Sequence, residues 1–129
     1  MNLATLIRQN VTEISAMQET PRVLDVGNCR PDHFALRRLF QSMGADVDQT
    51  HHLQDTLRAL WERPYRLVLV NRKLDQDYTD GIEIVRAIRK HPEFGSISVM
   101  LISNYPQAQS EAMEAGAVRG FGKLELDHP

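Results

Sequence analysis

Leu3, Ile7, Val11, Ile14 and Met17 recur at steps of four, four, three and three, the spacing of a single apolar stripe on a helix. A helix is therefore expected over residues 3–18, closed by Pro21. Beyond it the period changes. Val23 to Val26 reads as a short apolar strand interrupted by Asp25. Pro31 suits the first turn of a helix that places Leu36, Leu39, Phe40 and Met43 on one face, and Gly44 stops it. Residues 45–49 form a weaker second strand, and Leu53, Leu57, Leu60 and Trp61 mark a helix that ends before Pro64. Leu67 to Val70 is an unbroken apolar run, expected to be a strand buried on both faces, and it delivers Asn71 at its end. Ile82, Val85 and Ile88 give a further helix, finished by Lys90, His91 and Pro92. A fourth strand spans 97–102, a short helix 107–115 is capped by Gly116, and a weak strand runs to about residue 122.

Strands alternating with helices of about ten residues mean right-handed βαβ crossovers and a parallel sheet. The expected fold is α/β, with residues 1–20 as a separate amphipathic helix and 21–129 as the body. At 129 residues the chain can bury a full core. Its 42% hydrophobic and 25% charged residues argue against disorder. A net charge of -2, with 15 basic residues scattered among 17 acidic ones, supports neither a nucleic-acid groove nor an anionic membrane surface. Cys29 is the one cysteine, so no disulfide can close within the chain. With no apolar run of about 20 residues and no signal-peptide pattern, a cytoplasmic location is expected.

Six pieces, taken in order, carry a resemblance: RVLDVGN, LRRLFQSMGADV, RPYRLVLVN, DGIEIVRAIRK, SVMLIS, and EAGAV followed by Lys123. Together, over residues 22–124, they resemble the receiver domain of two-component response regulators. The resemblance implies a flavodoxin-like, doubly wound sheet of five parallel strands in the order 2-1-3-4-5. Its site would lie at the carboxyl ends of the strands, the arrangement for which this family serves as a standing example. It also implies a chemistry: an aspartate after the third strand takes a phosphoryl group. An acid pair after the first strand helps it hold Mg²⁺, and a hydroxyl and a lysine bind the phosphoryl oxygens.

Carried onto this sequence, the phosphoacceptor position is Asn71, the acid pair is Gly27 and Asn28, the hydroxyl is Ser103 and the lysine is Lys123. No carboxylate remains at these places. An amide cannot form an acyl phosphate, and Mg²⁺, a hard cation that sheds water reluctantly, usually needs a carboxylate. Mg²⁺ binding is expected to be weak or absent, with no other cofactor and no metal site. The aromatic switch position, three before the lysine, is Gly120, and Leu124 rather than proline follows Lys123. The family's fifth helix is expected to be missing, since only LELDHP follows Lys123. The helix over 3–18 is expected to cover the apolar strip that this would leave, within its chain or by exchange with a second copy.

Other polar clusters read more plainly. Asp75, Asp77 and Asp80 ahead of Gly81 suggest a calcium loop, but the glycine falls one place late and Arg86 occupies the closing acid's position. A solvated loop, with Asp80 near a helix start, fits better. His51 and His52 are expected to lead into a helix rather than bind metal, and Cys29 to be an inert or mildly reactive thiol. Lys123 is expected to reach solvent or an acid such as Asp75 or Asp77, because an unpaired buried ammonium is costly. Alternatively, Ser103 and Lys123 bind a sulfate, a phosphate or a partner's carboxylate. Asp25 within a strand needs a partner that the sequence does not name.

The reading that results is a non-enzymatic pseudo-receiver. It would not be phosphorylated at Asn71, and it would act on signalling proteins, either a histidine kinase or effector domains, with a homodimer as one arrangement. Its contact surface would be the helix at 107–115, the two strands flanking it and their loops. The alternatives are an active phosphorelay receiver using Asp75 or Asp77, and a small ligand-binding or enzymatic domain of the same fold.

Overall fold

The computed structural model describes residues 2–9 and 20–126. In the body, β1 (Arg22–Val26), β2 (Asp46–Thr50), β3 (Leu67–Asn71), β4 (Ser98–Ile102) and β5 (Val118–Phe121) alternate with helices. The helices are α1 (Arg30–Ser42), α2 (Leu53–Glu62), α3 (Gly81–Arg89) and α4 (Pro106–Glu114). The five strands are parallel and lie in the order β2-β1-β3-β4-β5. This is the expected doubly wound, flavodoxin-like arrangement.

The sheet separates two cores. Leu24, Val26, Val68, Val70, Val99 and Leu101 face α2, α3 and α4 and pack on Leu60, Ile84, Val85, Ile88 and Ala112. The opposite face carries Val23, Leu69 and Ile102 against Leu36 of α1. Val68, Leu69 and Val70 are fully buried, which accounts for the unbroken apolar run in β3. The stripe on α1 is rotated from the expected one. His33, Leu36 and Phe40 turn inward, while Leu39 and Met43 are exposed. Trp61 is likewise exposed and lies edge-on to Phe94 at 4.9 Å instead of facing the sheet.

Residues 3–9 are helical, in line with the first part of the expected 3–18 segment, and residues 10–18 lie outside the described residues. Leu3, Leu6 and Ile7 are 71%, 47% and 52% exposed, so residues 3–9 do not bury these side chains against the body of their own chain. Among the described residues, a 3₁₀ turn at Lys123–Glu125 follows β5 and no α-helix does. Leu67, Met100 and Phe121 on the α1 side of the sheet are partly buried.

Candidate functional site

The carboxyl ends of β1 and β3 are brought together by their register, which pairs Val26 with Val70 and sets Gly27 beside Asn71. Gly27 has a positive φ of 76°, and a Cβ there would overlap Leu74, so the turn leaving β1 needs glycine. Asn71 uses its amide nitrogen twice, donating to the carbonyl oxygens of Gly27 at 3.0 Å and Lys73 at 2.8 Å. One NH₂ group thus ties the end of β1 to the loop after β3. An ionised aspartate has only acceptors and could make neither bond.

Asn28 is fully buried, and its amide nitrogen donates to Asp25 Oδ1. The second oxygen of Asp25 accepts from His33 Nδ1 at 2.8 Å. This gives Asp25 the partner that the sequence did not name: His33 lies on the same stripe of α1 as Leu36 and Phe40, directly over β1. Burial pushes the Asp25 carboxyl above the usual 3.8. The hydrogen bonds from Asn28 and His33, and the fields of His33 and Lys123, offset this only in part. Asn28 Oδ1 has no hydrogen-bond partner among the described residues.

Lys123 meets neither Asp75 nor Asp77. Its ammonium pairs with Asp32 Oδ2 at 2.7 Å, because β5 ends beside the first turn of α1. The Cys29 thiol donates to the same oxygen at 3.2 Å. For Asp32, burial raises the pKa, but the hydrogen bonds from Lys123 and Cys29 and the Lys123 charge prevail and hold it below 3.8. Asp77 accepts from the Thr79 N–H, and Asp75 Oδ1 faces His51 Nδ1 at 3.5 Å. His52 caps α2 in a reciprocal capping box with Asp55, the helix-entry role expected of the histidine pair.

Beyond Asn71 lies a hollow of about 250 Å³ lined by Arg72, Lys73, Lys123, Ser103 and Asn104, with Tyr105 on its rim. Neither Asp75 nor Asp77 lines it. Ser103 Oγ is already engaged, accepting from the Tyr105 N–H at 3.1 Å. The donor set does not suit Mg²⁺. Two nearby carbonyls are taken by Asn71, the carboxylate of Asp25 is spent below the floor, and the lining is cationic. Among the described residues, no group of three His, Cys, Asp or Glu side chains could hold a metal.

The fourth and fifth strands are joined by a residue that sequence reasoning passed over. Gln109 of α4 donates to the carbonyls of Leu101 at 2.9 Å and Ser103 at 3.1 Å. Its own carbonyl accepts from the Gly120 N–H at 2.9 Å. It fills the place where the β4–β5 ladder shifts register, between the pairs Met100–Val118 and Ile102–Phe121. A Cβ at Gly120 would overlap the Leu101 carbonyl. The absence of an aromatic at this position is therefore built into the strand pairing. Only the helical spacing of Gln109 from Ala112, on the inward face, hinted at its burial.

A family model described as the response regulator receiver domain matches residues 32–124. The chain belongs to that family. Among solved structures, this receiver domain is similar to a candidate response regulator from Chloroflexus aurantiacus, with a TM-score of 0.74 and 18% identity over 84% of this chain and 92% of that one. It is also similar to a CheY-like receiver domain from Methylobacillus flagellatus (TM-score 0.70, 21% identity, 81% and 87% covered). A third likeness is to a Burkholderia pseudomallei response regulator crystallised with a phosphorylated aspartic acid, a calcium ion and citrate (TM-score 0.68, 15% identity, 80% and 59% covered). No curated protein matches the chain. Among the described residues of this receiver domain, no helix is long and apolar enough to cross a membrane.

Proposed function

We propose that this receiver domain is a pseudo-receiver: it takes no phosphoryl group at Asn71, holds no Mg²⁺ in the family's manner, catalyses no reaction, and signals by protein contact. The observation that carries this reading is the double donation from the Asn71 amide to the Gly27 and Lys73 carbonyls. It ties the two walls of the crevice together with a group that can neither attack phosphorus nor replace a carboxylate. The Gln109 bridge supports the same reading, since it pins β4 and β5 where an aromatic switch would otherwise move. Without phosphorylation, any change of state must come from a partner that binds one conformation better. The natural partners of such a domain are the histidine kinases and effector domains of two-component signalling, met through α4, β4, β5 and their loops.

The test is incubation with acetyl phosphate and Mg²⁺, read by intact mass, alongside an NMR titration with Mg²⁺ alone. The expected outcome is an unchanged mass and no saturable shift at Gly27, Asn71 or Lys73. A mass gain of one phosphate mapped to Asp75 or Asp77 would establish the active-phosphorelay reading instead.

A further inference from the structure

The hollow beside Asn71 has reversed its electrostatic sense. Arg72, Lys73 and Lys123 line it, and no acid does. The three cations are not equivalent. Lys123 is neutralised by Asp32 at 2.7 Å, and Lys73 by Asp80 at 3.2 Å. Arg72 instead lies over the Tyr105 ring, 5.2 Å from its centroid, and among the described residues no carboxylate pairs with it. Asp80 and Glu111 share a second hollow with Arg72, but neither lies within ion-pair distance of its guanidinium. The unneutralised charge at the crevice is therefore one, and it belongs to a planar fork that suits a carboxylate.

We infer that this hollow receives a single carboxylate side chain from a protein partner, paired with Arg72 and flanked by Tyr105. The inference rests on the pseudo-receiver reading, since a domain phosphorylated here would carry its own anion in this space. A monoanion is favoured over a dianionic phosphate because a dianion would have to draw Lys73 and Lys123 away from acids they already hold. A protein is favoured over a free small acid because Tyr105 is 61% exposed beside the hollow. Arg and Tyr are the residue types that anchor protein interfaces, whereas a lone small carboxylate gains too little contact to stay.

The test titrates isotope-labelled protein with two octapeptides of alanine and serine, one carrying a central glutamate and the other glutamine, and separately with phenyl phosphate. The glutamate peptide should give saturable shifts centred on Arg72, Asn104 and Tyr105, and the glutamine peptide none. The surface variant Arg72→Ala should weaken the glutamate peptide by about ten-fold, and Arg72→Lys should recover only part of it. Equal response to both peptides, or diffuse shifts that vanish in moderate salt, would overturn the inference, as would tighter binding of phenyl phosphate. A peptide failure with no mass gain from acetyl phosphate removes this inference alone; a mass gain removes the reading beneath it.

Discussion

Asp25 and Asn71 stand on adjacent parallel strands, two residue levels apart, and the fold treats them in opposite ways. Asp25 keeps a carboxylate but buries it completely, spending one oxygen on Asn28 and the other on His33. Asn71 sits at the half-open rim, where a carboxylate would be useful, and offers an amide that donates to two carbonyls. The domain has not simply lost negative charge near its crevice. It holds one charge-bearing group below the floor, where it ties α1 to β1, and closes the mouth with a neutral clamp. Whether a carboxylate can do chemistry is decided by what it touches, and counting acids in a sequence misses this.

The largest effect is expected at the buried side of the comparison. His33→Ala leaves Asp25 enclosed and half-partnered, and should cost about 3–4 kcal/mol in urea unfolding. Replacing both members with apolar residues, Asp25→Val with His33→Leu, should recover most of that loss. A double variant as unstable as His33→Ala would mean that the network does more than satisfy itself.

At the rim, Asn71→Asp should cost about 2–3 kcal/mol, because the carbonyls of Gly27 and Lys73 lose their donor and face a carboxylate. Mg²⁺ should return part of this in the variant and nothing in the natural chain, since only a cation can then bridge the three oxygens. Unfolding curves with and without Mg²⁺ measure the difference. An equal Mg²⁺ response in both would break the contrast between clamp and metal site.

Gln109 extends the contrast to the far edge of the sheet, as a second amide bridging two backbone segments, but inside the protein. Gln109→Ala strands the Leu101 and Ser103 carbonyls and the Gly120 N–H. The expected cost is about 2 kcal/mol, with faster hydrogen exchange confined to Gly120 and its neighbours. Exchange that accelerates across all five strands instead would show that the bridge is not local.

The architecture was legible because each element carries its own period. The alternating strands and amphipathic helices fall within a residue or two of the observed ends, and Asn71, Gly27, Asn28, Ser103 and Lys123 all come to the carboxyl edge. Their hydrogen-bond partners were not legible. The pairing of Lys123 with Asp32, and of Asp25 with His33, joins residues from different elements whose meeting depends on how α1 is rotated. That rotation was misread through Leu39 and Met43. His33 could have been found by its spacing from Leu36 and Phe40, had a polar residue been allowed on the inward stripe. The Gln109 bridge depends on a local register shift for which hydrophobic periodicity carries no signal.

The smallest effect is a difference in sign. Burial holds the folded pKa of Asp25 above 3.8, so its contribution to stability grows as pH falls through that folded value and is complete below 3.8. Asp32 has its folded pKa below 3.8, so its contribution is complete above 3.8 and is lost as pH falls through the folded value. Stability should therefore be measured against pH for the natural chain, Asp25→Asn and Asp32→Asn. Relative to Asp25→Asn, the natural chain should gain stability on acidification. Relative to Asp32→Asn, it should lose up to about 1 kcal/mol, the usual scale of a partly exposed ion pair, and only below 3.8. If both difference curves bend the same way, the two carboxylates are not in opposite environments, and the division between buried strut and rim ion pair fails at its source.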